Sequence, residues 1–156
     1  MGKVLTIDKL VLELNQLKKQ GKKIVSTNGC FDILHVGHVR YLMQSAALGD
    51  ILVVCLNSDR SVKALKGDSR PLNSENDRAE VLAGLASVDY VVIFDEDTPV
   101  NYLAQIKPDI HTKGGDYDVN NLPEAKVVMD NGGKLEFISF IAGKSTTNII
   151  NKMQSK

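Results

Sequence analysis

Two closely spaced histidines are the part of this sequence best suited to chemistry. His35 and His38 flank Gly37, follow an apolar run at 24–27 and open a helical pattern at 36–48. An open α/β sheet binds its ligands at the carboxyl ends of its strands, where the following helices begin. Helix N-termini also attract phosphate. Imidazoles at that point add hydrogen-bond donors or positive charge, and a glycine lets a ligand approach the backbone closely. The pattern therefore predicts chemistry on a nucleotide phosphate.

Other interpretations of the histidine pair remain open at this point. Asp32, His35 and His38 could be three metal ligands. Residues of a regular helix, however, step by about 100° around its axis, so these side chains would diverge. No further carboxylate follows closely to complete a metal shell. The histidines could also pack in the core or cap the helix, but phosphate chemistry is favoured and no protein-held metal is predicted.

A hydroxyl-rich segment near the end of the chain offers a second phosphate contact. Residues 143–145, Gly-Lys-Ser, match the end of a P-loop motif. The first glycine of that motif would have to stand where Ile138 does, so a P-loop kinase or ATPase is disfavoured. Ser145 alone would suit a helix cap. Ser145, Thr146 and Thr147 together favour phosphate binding at the carboxyl end of a strand.

Two further segments carry groups that suit anionic or sugar substrates. The stretch 63–78 combines a long predicted loop with the start of a helix, and such loops are usually functional or disordered. Its basic side chains are Lys63, Lys66, Arg70 and Arg78. They could stabilise a second anion, although an exposed charged loop would have the same composition. In the segment 113–117, Asp116 could contact a sugar hydroxyl, but an ordinary turn also explains Gly-Gly-Asp.

Composition excludes several classes of function. The chain has 156 residues, 43% hydrophobic and 24% charged, which suits one domain with a real core over residues 1–156. A net charge of zero gives no reason to expect nucleic acid or an anionic membrane as a partner. No run approaches the roughly 18 apolar residues of a membrane span, and no signal-peptide pattern opens the chain. The two cysteines form no C-x-x-C pair, so free thiols in the cytoplasm are expected.

The elements that must position these groups alternate along the chain. Strands are predicted at 23–27, 51–56, 90–94, 108–112 and 134–140, and helices at 7–19, 36–48, 77–86, 99–106, 122–130 and 145–153. Residues 57–76 are predicted to be the longest irregular stretch. Strands separated by helices imply βαβ crossovers. We expect an α/β fold with a doubly wound, mostly parallel five-stranded sheet and helices on both faces. The third histidine, His111, falls in a strand and is interpreted as structural.

Taken together, the motifs resemble a known family. The segment 29–38, with His-Val-Gly-His at its end, resembles the H-x-G-H motif of the cytidylyltransferase-like nucleotidyltransferases, which have a Rossmann-like fold. Residues 145–147 resemble the second motif of that family. Between them, 66–71, 77–79, 88–89, 94–99 and 113–117 follow the order seen in bacterial heptose 1-phosphate adenylyltransferases. The resemblance covers roughly residues 22–153 and, without a sugar-kinase half, implies the free-standing form.

The resemblance implies a reaction and a set of roles. ATP, with Mg²⁺ bridging its phosphates, and D-glycero-D-manno-heptose 1-phosphate would give ADP-heptose, a precursor of lipopolysaccharide, and pyrophosphate. Catalysis is assigned to His35, His38 and Lys66. The substrate phosphate is assigned to Arg70 and Arg78. Nucleotide binding is assigned to Gly29, Cys30, Phe31, Asp32, Gly37, Lys113, Gly115, Asp116, Ser145, Thr146 and Thr147. The family also implies a homodimer or a higher homo-oligomer.

Two alternatives stay open beside the adenylyltransferase. The first is another H-x-G-H nucleotidyltransferase, such as one that joins CTP to glycerol 3-phosphate. That activity places an arginine shortly before the second motif, where this chain has Phe140, Ile141 and Ala142. The second is a nucleotide-binding module without turnover, against which the intact histidine and hydroxyl motifs argue.

Overall fold

The chain folds around one parallel β-sheet. This computed structural model describes residues 1–115, 122–139 and 146–154. Within these residues the strands are β1 (Lys3–Val4), β2 (Ile24–Gly29), β3 (Ile51–Asn57), β4 (Tyr90–Phe94), β5 (Ile110–Gly114) and β6 (Lys134–Ile138). The helices are α1 (Ile7–Lys19), α2 (Val36–Ala46), α3 (Asp59–Lys66), α4 (Glu75–Ala83), α5 (Val100–Ile106), α6 (Pro123–Asp130) and α7 (Thr146–Gln154).

The strand order creates a switch point at the centre of the sheet. The order is β1-β4-β3-β2-β5-β6, and every described pairing is parallel. The chain therefore moves from β2 to β3 and β4 on one side, then returns through α5 to β5 on the other. Ligands of open α/β sheets bind at such a point, beyond the carboxyl ends of the strands. The doubly wound α/β fold predicted from the sequence is confirmed.

Strand side chains alternate between two apolar layers. On one face, Val25, Leu52, Val54 and Val91 pack with residues of α2 and α4. The other face packs against α1, α5 and α6 and includes the tightly buried side chains Leu10, Leu14, Val53, Leu103 and Val128. Both faces of the sheet are covered, which is why β3 is apolar along almost its whole length. Among the described residues, no helix is both long and apolar enough to span a membrane.

Two features of the fold differ from the sequence prediction. Among the described residues the sheet has six strands rather than five, because residues 3–4 pair with β4 as the short edge strand β1. The predicted loop 57–76 also contains a helix, α3, which begins after the N-cap Ser58 and buries Val62. Sequence periodicity misses both elements, since two residues show no alternation and α3 has few apolar positions among its charged ones.

Candidate functional site

The histidine pair lies at the carboxyl end of β2, where α2 begins. His35 is the N-cap of α2, and its Nδ1 accepts a hydrogen bond of 3.1 Å from the backbone N–H of Gly37. This bond assigns the proton of a neutral His35 to Nε2, which makes Nε2 a donor. The His35 and His38 rings stack with their centroids 3.9 Å apart. The two imidazoles therefore form one paired surface at the start of the helix.

Phe31 and Gly29 form the support behind His38. The Phe31 ring meets the His38 ring edge-on, with centroids 5.2 Å apart. Phe31 adopts a left-handed backbone conformation with φ of 43°, and its side chain is buried. A Cβ at Gly29 would come within 2.8 Å of the Phe31 ring, so glycine is required there for Phe31 to reach this position. The sequence motif thus includes residues that shape the turn as well as residues that face a ligand.

His38 is neutral near pH 7 in this environment. Burial is the largest cause, and positive charge at His35 and Lys66 adds to it, so the pKa of His38 falls from 6.5 to about 4. The carbonyl of Ile33 opposes this shift with the smallest effect. Nδ1 of His38 is buried and, within the described part of the chain, makes no well-aligned hydrogen bond. The pair therefore offers polar groups to a ligand without a fixed positive charge on His38.

The second motif reaches the first through α7. Thr146, the first residue of α7, is buried and donates a hydrogen bond of 3.1 Å from Oγ1 to the carbonyl of Ile33. Thr147 is exposed and faces a cleft. Ser145 and Asp116, also predicted as site residues, lie outside the described residues. The structure therefore brings the beginning of α7 against the histidine turn, as the order of the two motifs suggests.

A cleft of about 510 Å³ opens between α7 and the segment that follows α3. Its lining residues are Lys66, Ser69, Arg70, Leu72, Thr147 and Ile150. Two of these are cations, and Lys66 is close enough to lower the pKa of His38. Predicted residues of the second motif and of the basic segment therefore line one cleft, which can hold an anionic group, and Lys66 connects this cleft to His38 electrostatically.

Asp32 holds the basic segment in place and does not face the cleft. Its side chain is fully buried and accepts a 2.6 Å hydrogen bond from Nε of Arg70, as well as bonds from the backbone N–H groups of Leu72 and Asn73. Burial alone would raise the pKa of Asp32, but these donors outweigh it and keep the pKa below its usual value. The predicted contact of Asp32 with the nucleotide is therefore revised, because its oxygens already bind this segment.

Arg78 also has a different place from the predicted one. Its side chain is 1% exposed. The guanidinium donates to the carbonyls of Cys30 at 2.6 Å, Asn57 at 2.9 Å and Asn73 at 3.1 Å, and to a carboxylate oxygen of Asp59 at 2.8 Å. A substrate phosphate cannot reach a group enclosed in this way. We revise the substrate role of Arg78 to a structural one, joining the ends of β2 and β3 to the basic segment.

The remaining predicted residues lie near the switch point. Lys113, on β5, binds Oδ1 of Asn28 at 3.1 Å and the buried Glu124 of α6 at 2.9 Å. Gly115 has φ of 97°, and its N–H donates to the carbonyl of Ile138. The Cys30 thiol is half-buried, and burial raises its pKa, which keeps it protonated. Sequence reasoning missed Asn28 and Glu124, because nothing in their local pattern marks them as partners of a lysine on another element.

His111 is a buried histidine on the face of the sheet that points away from α2. Its Nδ1 lies 2.8 Å from Oγ of Ser26, and its Nε2 is buried with no hydrogen-bond partner among the described residues. Burial first, then the charge of Lys113, lowers the pKa of His111 to about 3. Its place in β5 agrees with the structural interpretation from sequence.

Acid should destabilise the fold through His111. The unfolded state, with a pKa near 6.5, binds the proton more readily than the folded state does. The contribution of His111 is fully present above about pH 6.5 and should fall by about 1.4 kcal/mol per pH unit as pH drops toward 3. Urea unfolding of the wild type and of His111→Gln over this range measures the difference in slope. Identical slopes in the two proteins would contradict the buried neutral imidazole.

The sequence of this chain is similar to those of known proteins. Residues 26–150 match the family described as cytidylyltransferase-like. The chain is 49% identical over 152 residues to the bifunctional protein HldE of Geobacter sulfurreducens, covering 97% of this chain and 31% of that protein. It is 52% identical over 153 residues to HldE of Shewanella amazonensis, covering 98% and 32%. The chain thus spans about a third of the length of these relatives.

A solved structure shows the same fold. The crystal structure of the lipopolysaccharide core biosynthesis protein from Thermoplasma volcanium matches with a TM-score of 0.61 and 30% identity. The match covers 78% of this chain and 98% of the other. The residues that match the family span both motifs, from the strand before the histidines to the middle of α7.

Proposed function

Because the chain belongs to the cytidylyltransferase-like family, we propose that it transfers AMP from ATP to D-glycero-D-manno-heptose 1-phosphate. The family membership inferred from the two motifs is confirmed. The observation that carries the proposal is the contact of Thr146 with the carbonyl of Ile33, which joins the two motifs beside a cleft lined by cations. The choice of ATP and heptose rests on the central segments 66–71 and 113–117 and on the similarity to HldE.

The proposed reaction forms one bond and breaks one. An oxygen of the sugar phosphate attacks the α-phosphorus of ATP in line, and the bond from that phosphorus to the bridging oxygen breaks. The electron pair leaves with pyrophosphate, and ADP-heptose is the other product. Because the nucleophile is already an anion, no strong general base is needed. The protein then contributes positioning and stabilisation of developing charge.

The described residues that we assign to the phosphates lie on two sides of the site. His35 and His38 hold phosphate oxygens at the start of α2, and His38 does so as a neutral hydrogen-bonding group. Lys66 and Arg70, which line the cleft opposite Thr147, supply positive charge for the incoming sugar phosphate and the departing pyrophosphate. We assign the nucleoside to the switch point between β2 and β5, beside Lys113 and Gly115. Asp32 and Arg78 keep the basic segment against the histidine turn.

We expect Mg²⁺ to bind together with ATP. Among the described residues, no three His, Cys, Asp or Glu side chains converge to hold a metal ion. Mg²⁺ is usually held by phosphate oxygens, water and few carboxylates in nucleotide sites. We propose that Mg²⁺ arrives with ATP, so that Mg·ATP is the substrate.

The proposal includes a cytoplasmic setting. Both cysteines are free thiols, as a reducing compartment favours, and ATP is a cytoplasmic substrate. A sugar nucleotide made there would supply surface polysaccharide, which fits the lipopolysaccharide core biosynthesis protein of similar structure. The homo-oligomer implied by the family resemblance stays a prediction.

A pyrophosphate-release assay tests the function. The protein is incubated with ATP or CTP, each with heptose 1-phosphate or glycerol 3-phosphate and with no acceptor. We expect release with ATP and heptose 1-phosphate, and a background rate when the acceptor is omitted. Release only with CTP would overturn the adenylyl assignment. No release with any pair would remove both enzyme hypotheses and favour a nucleotide-binding module without turnover.

A further inference from the structure

A hydroxyl network, made of Thr27, Tyr41, Ser45 and Thr112, fastens helix α2 to the sheet. The hydroxyl of Tyr41 lies 2.7 Å from Oγ1 of Thr27 and donates to Oγ1 of Thr112 at 3.2 Å. Oγ of Ser45 lies 2.9 Å from the same atom of Thr112. Thr27, Ser45 and Thr112 are fully buried.

The network connects three elements around the switch point. Thr27 lies on β2, just before the histidine turn, and Thr112 is its direct neighbour on β5. Oγ1 of Thr27 also donates to the carbonyl of Thr112 at 3.2 Å. Tyr41 and Ser45 both project from α2. The hydroxyls therefore tie the helix to the two strands between which a ligand of this fold binds.

The same face of α2 carries His38 at its ligand end. His38, Tyr41 and Ser45 stand at positions i, i+3 and i+7, which form one stripe along a helix. Leu42 is the buried apolar residue of α2. Apolar contacts are non-directional, whereas hydrogen bonds weaken steeply when they are misaligned. A polar attachment fixes the rotation and height of the helix more sharply than leucine packing alone would.

We propose that Tyr41 is a positioning residue that, through Thr27 and Thr112, sets the place of the His35 and His38 imidazoles. The proposal rests on the proposed function, in which these imidazoles hold phosphate oxygens. Tyr41 acts at a distance from the phosphates, through the helix it shares with His38. Catalytic groups need to be placed within fractions of an ångström, so a small rotation of α2 should reduce turnover while the fold persists.

Tyr41→Phe is the sharpest variant, because it removes one oxygen and keeps the ring. We expect kcat with ATP and the sugar phosphate to fall by about 10- to 10²-fold, and KM for ATP to change much less. Thr112→Val, which removes the partner hydroxyl while keeping the shape of the side chain, should give a similar loss. Tyr102→Phe is the matched control, since Tyr102 lies on α5 against Phe94, on the other face of the sheet. Its kcat should equal that of the wild type.

Combination with a histidine variant separates positioning from general loss of structure. If Tyr41 acts through the two imidazoles, Tyr41→Phe should cause little further loss of kcat in a background that carries both His35→Ala and His38→Ala. A full additional loss in that background would show that Tyr41 acts independently of the imidazoles and would overturn the proposal. Wild-type kcat in a folded Tyr41→Phe protein would overturn it as well.

A spectroscopic readout keeps this inference distinct from the proposed function. In NMR spectra of the ligand-free protein, the imidazole signals of His35 and His38 should shift in Tyr41→Phe and stay unchanged in Tyr102→Phe. Unchanged signals in Tyr41→Phe would overturn the positioning role even if the wild type turned over none of the substrate pairs. Absence of turnover in the wild type, with the shifts present, would instead count against the proposed function alone.

Discussion

Replacing His38 by alanine is expected to lower the turnover of the proposed adenylyl transfer by about 10²–10³-fold, the usual effect of removing one preorganised hydrogen-bonding group from an active site. The imidazole lies at the start of α2, stacked on His35 and close to Lys66. Its ring contributes modestly to packing, since His38 is only partly buried. Turnover should therefore fall while the far-ultraviolet circular dichroism and the cooperative unfolding transition persist.

Steady-state kinetics of His38→Ala with Mg·ATP and the sugar phosphate measure this effect. Met43→Ala is the matched control, because Met43 lies on the same helix with 57% of its surface exposed. Its kcat should remain that of the wild type. Near-normal turnover in His38→Ala would remove His38 from the mechanism, and equal losses in the two variants would indicate damage to α2.

Replacing Arg78 by methionine is expected to reduce the free energy of unfolding by about 3–5 kcal/mol, because it leaves buried polar groups without a donor. The carbonyls of Cys30, Asn57 and Asn73 all accept hydrogen bonds from this guanidinium. Methionine fills much of the same volume but donates nothing. Activity should fall as well, since the ends of β2 and β3 lose their common anchor beside the histidine turn.

Urea unfolding followed by circular dichroism measures the loss. Arg60→Ala is the matched control, because Arg60 forms an ion pair with Asp95 but is 60% exposed. Exposed pairs contribute about 1 kcal/mol or less, so this variant should stay close to the wild type. If Arg78→Met kept wild-type stability and only raised KM for the sugar phosphate, the substrate role predicted from the sequence would hold after all.

The sequence predicts those strands and helices whose apolar residues recur with a clear period. The continuous apolar run of β3 and the helical spacing of α1 predict these elements because burial on both faces, or along one stripe, leaves a periodic mark. The edge strand β1 shows no such pattern because it is two residues long. In α3 four of the eight residues are charged, and Val62 is the buried apolar residue.

Two side chains that were predicted to contact substrates have their partners within the chain itself. Asp32 and Arg78 stand in segments that match the family, and both were predicted to contact substrates. In the structure their charged ends bind the chain itself: Asp32 holds Leu72 and Asn73, and Arg78 holds three carbonyls. A charge in a motif indicates that the charge is needed, but the sequence does not show whether its partner is a ligand or the backbone.

The sequence by itself determined the kind of chemistry and the order of the parts. A His-x-Gly-His turn after a strand, with a hydroxyl cluster at the start of the last helix, indicates phosphate binding because local backbone geometry and residue type are enough to form such sites. Only the tertiary structure decided which side chains face the cleft, and it also showed the hydroxyl network under α2. Those outcomes depend on burial and on partners far apart in the chain, such as Tyr41 and Thr112, which are separated by 71 positions. Contacts of this kind form only when the sheet brings β2 and β5 together.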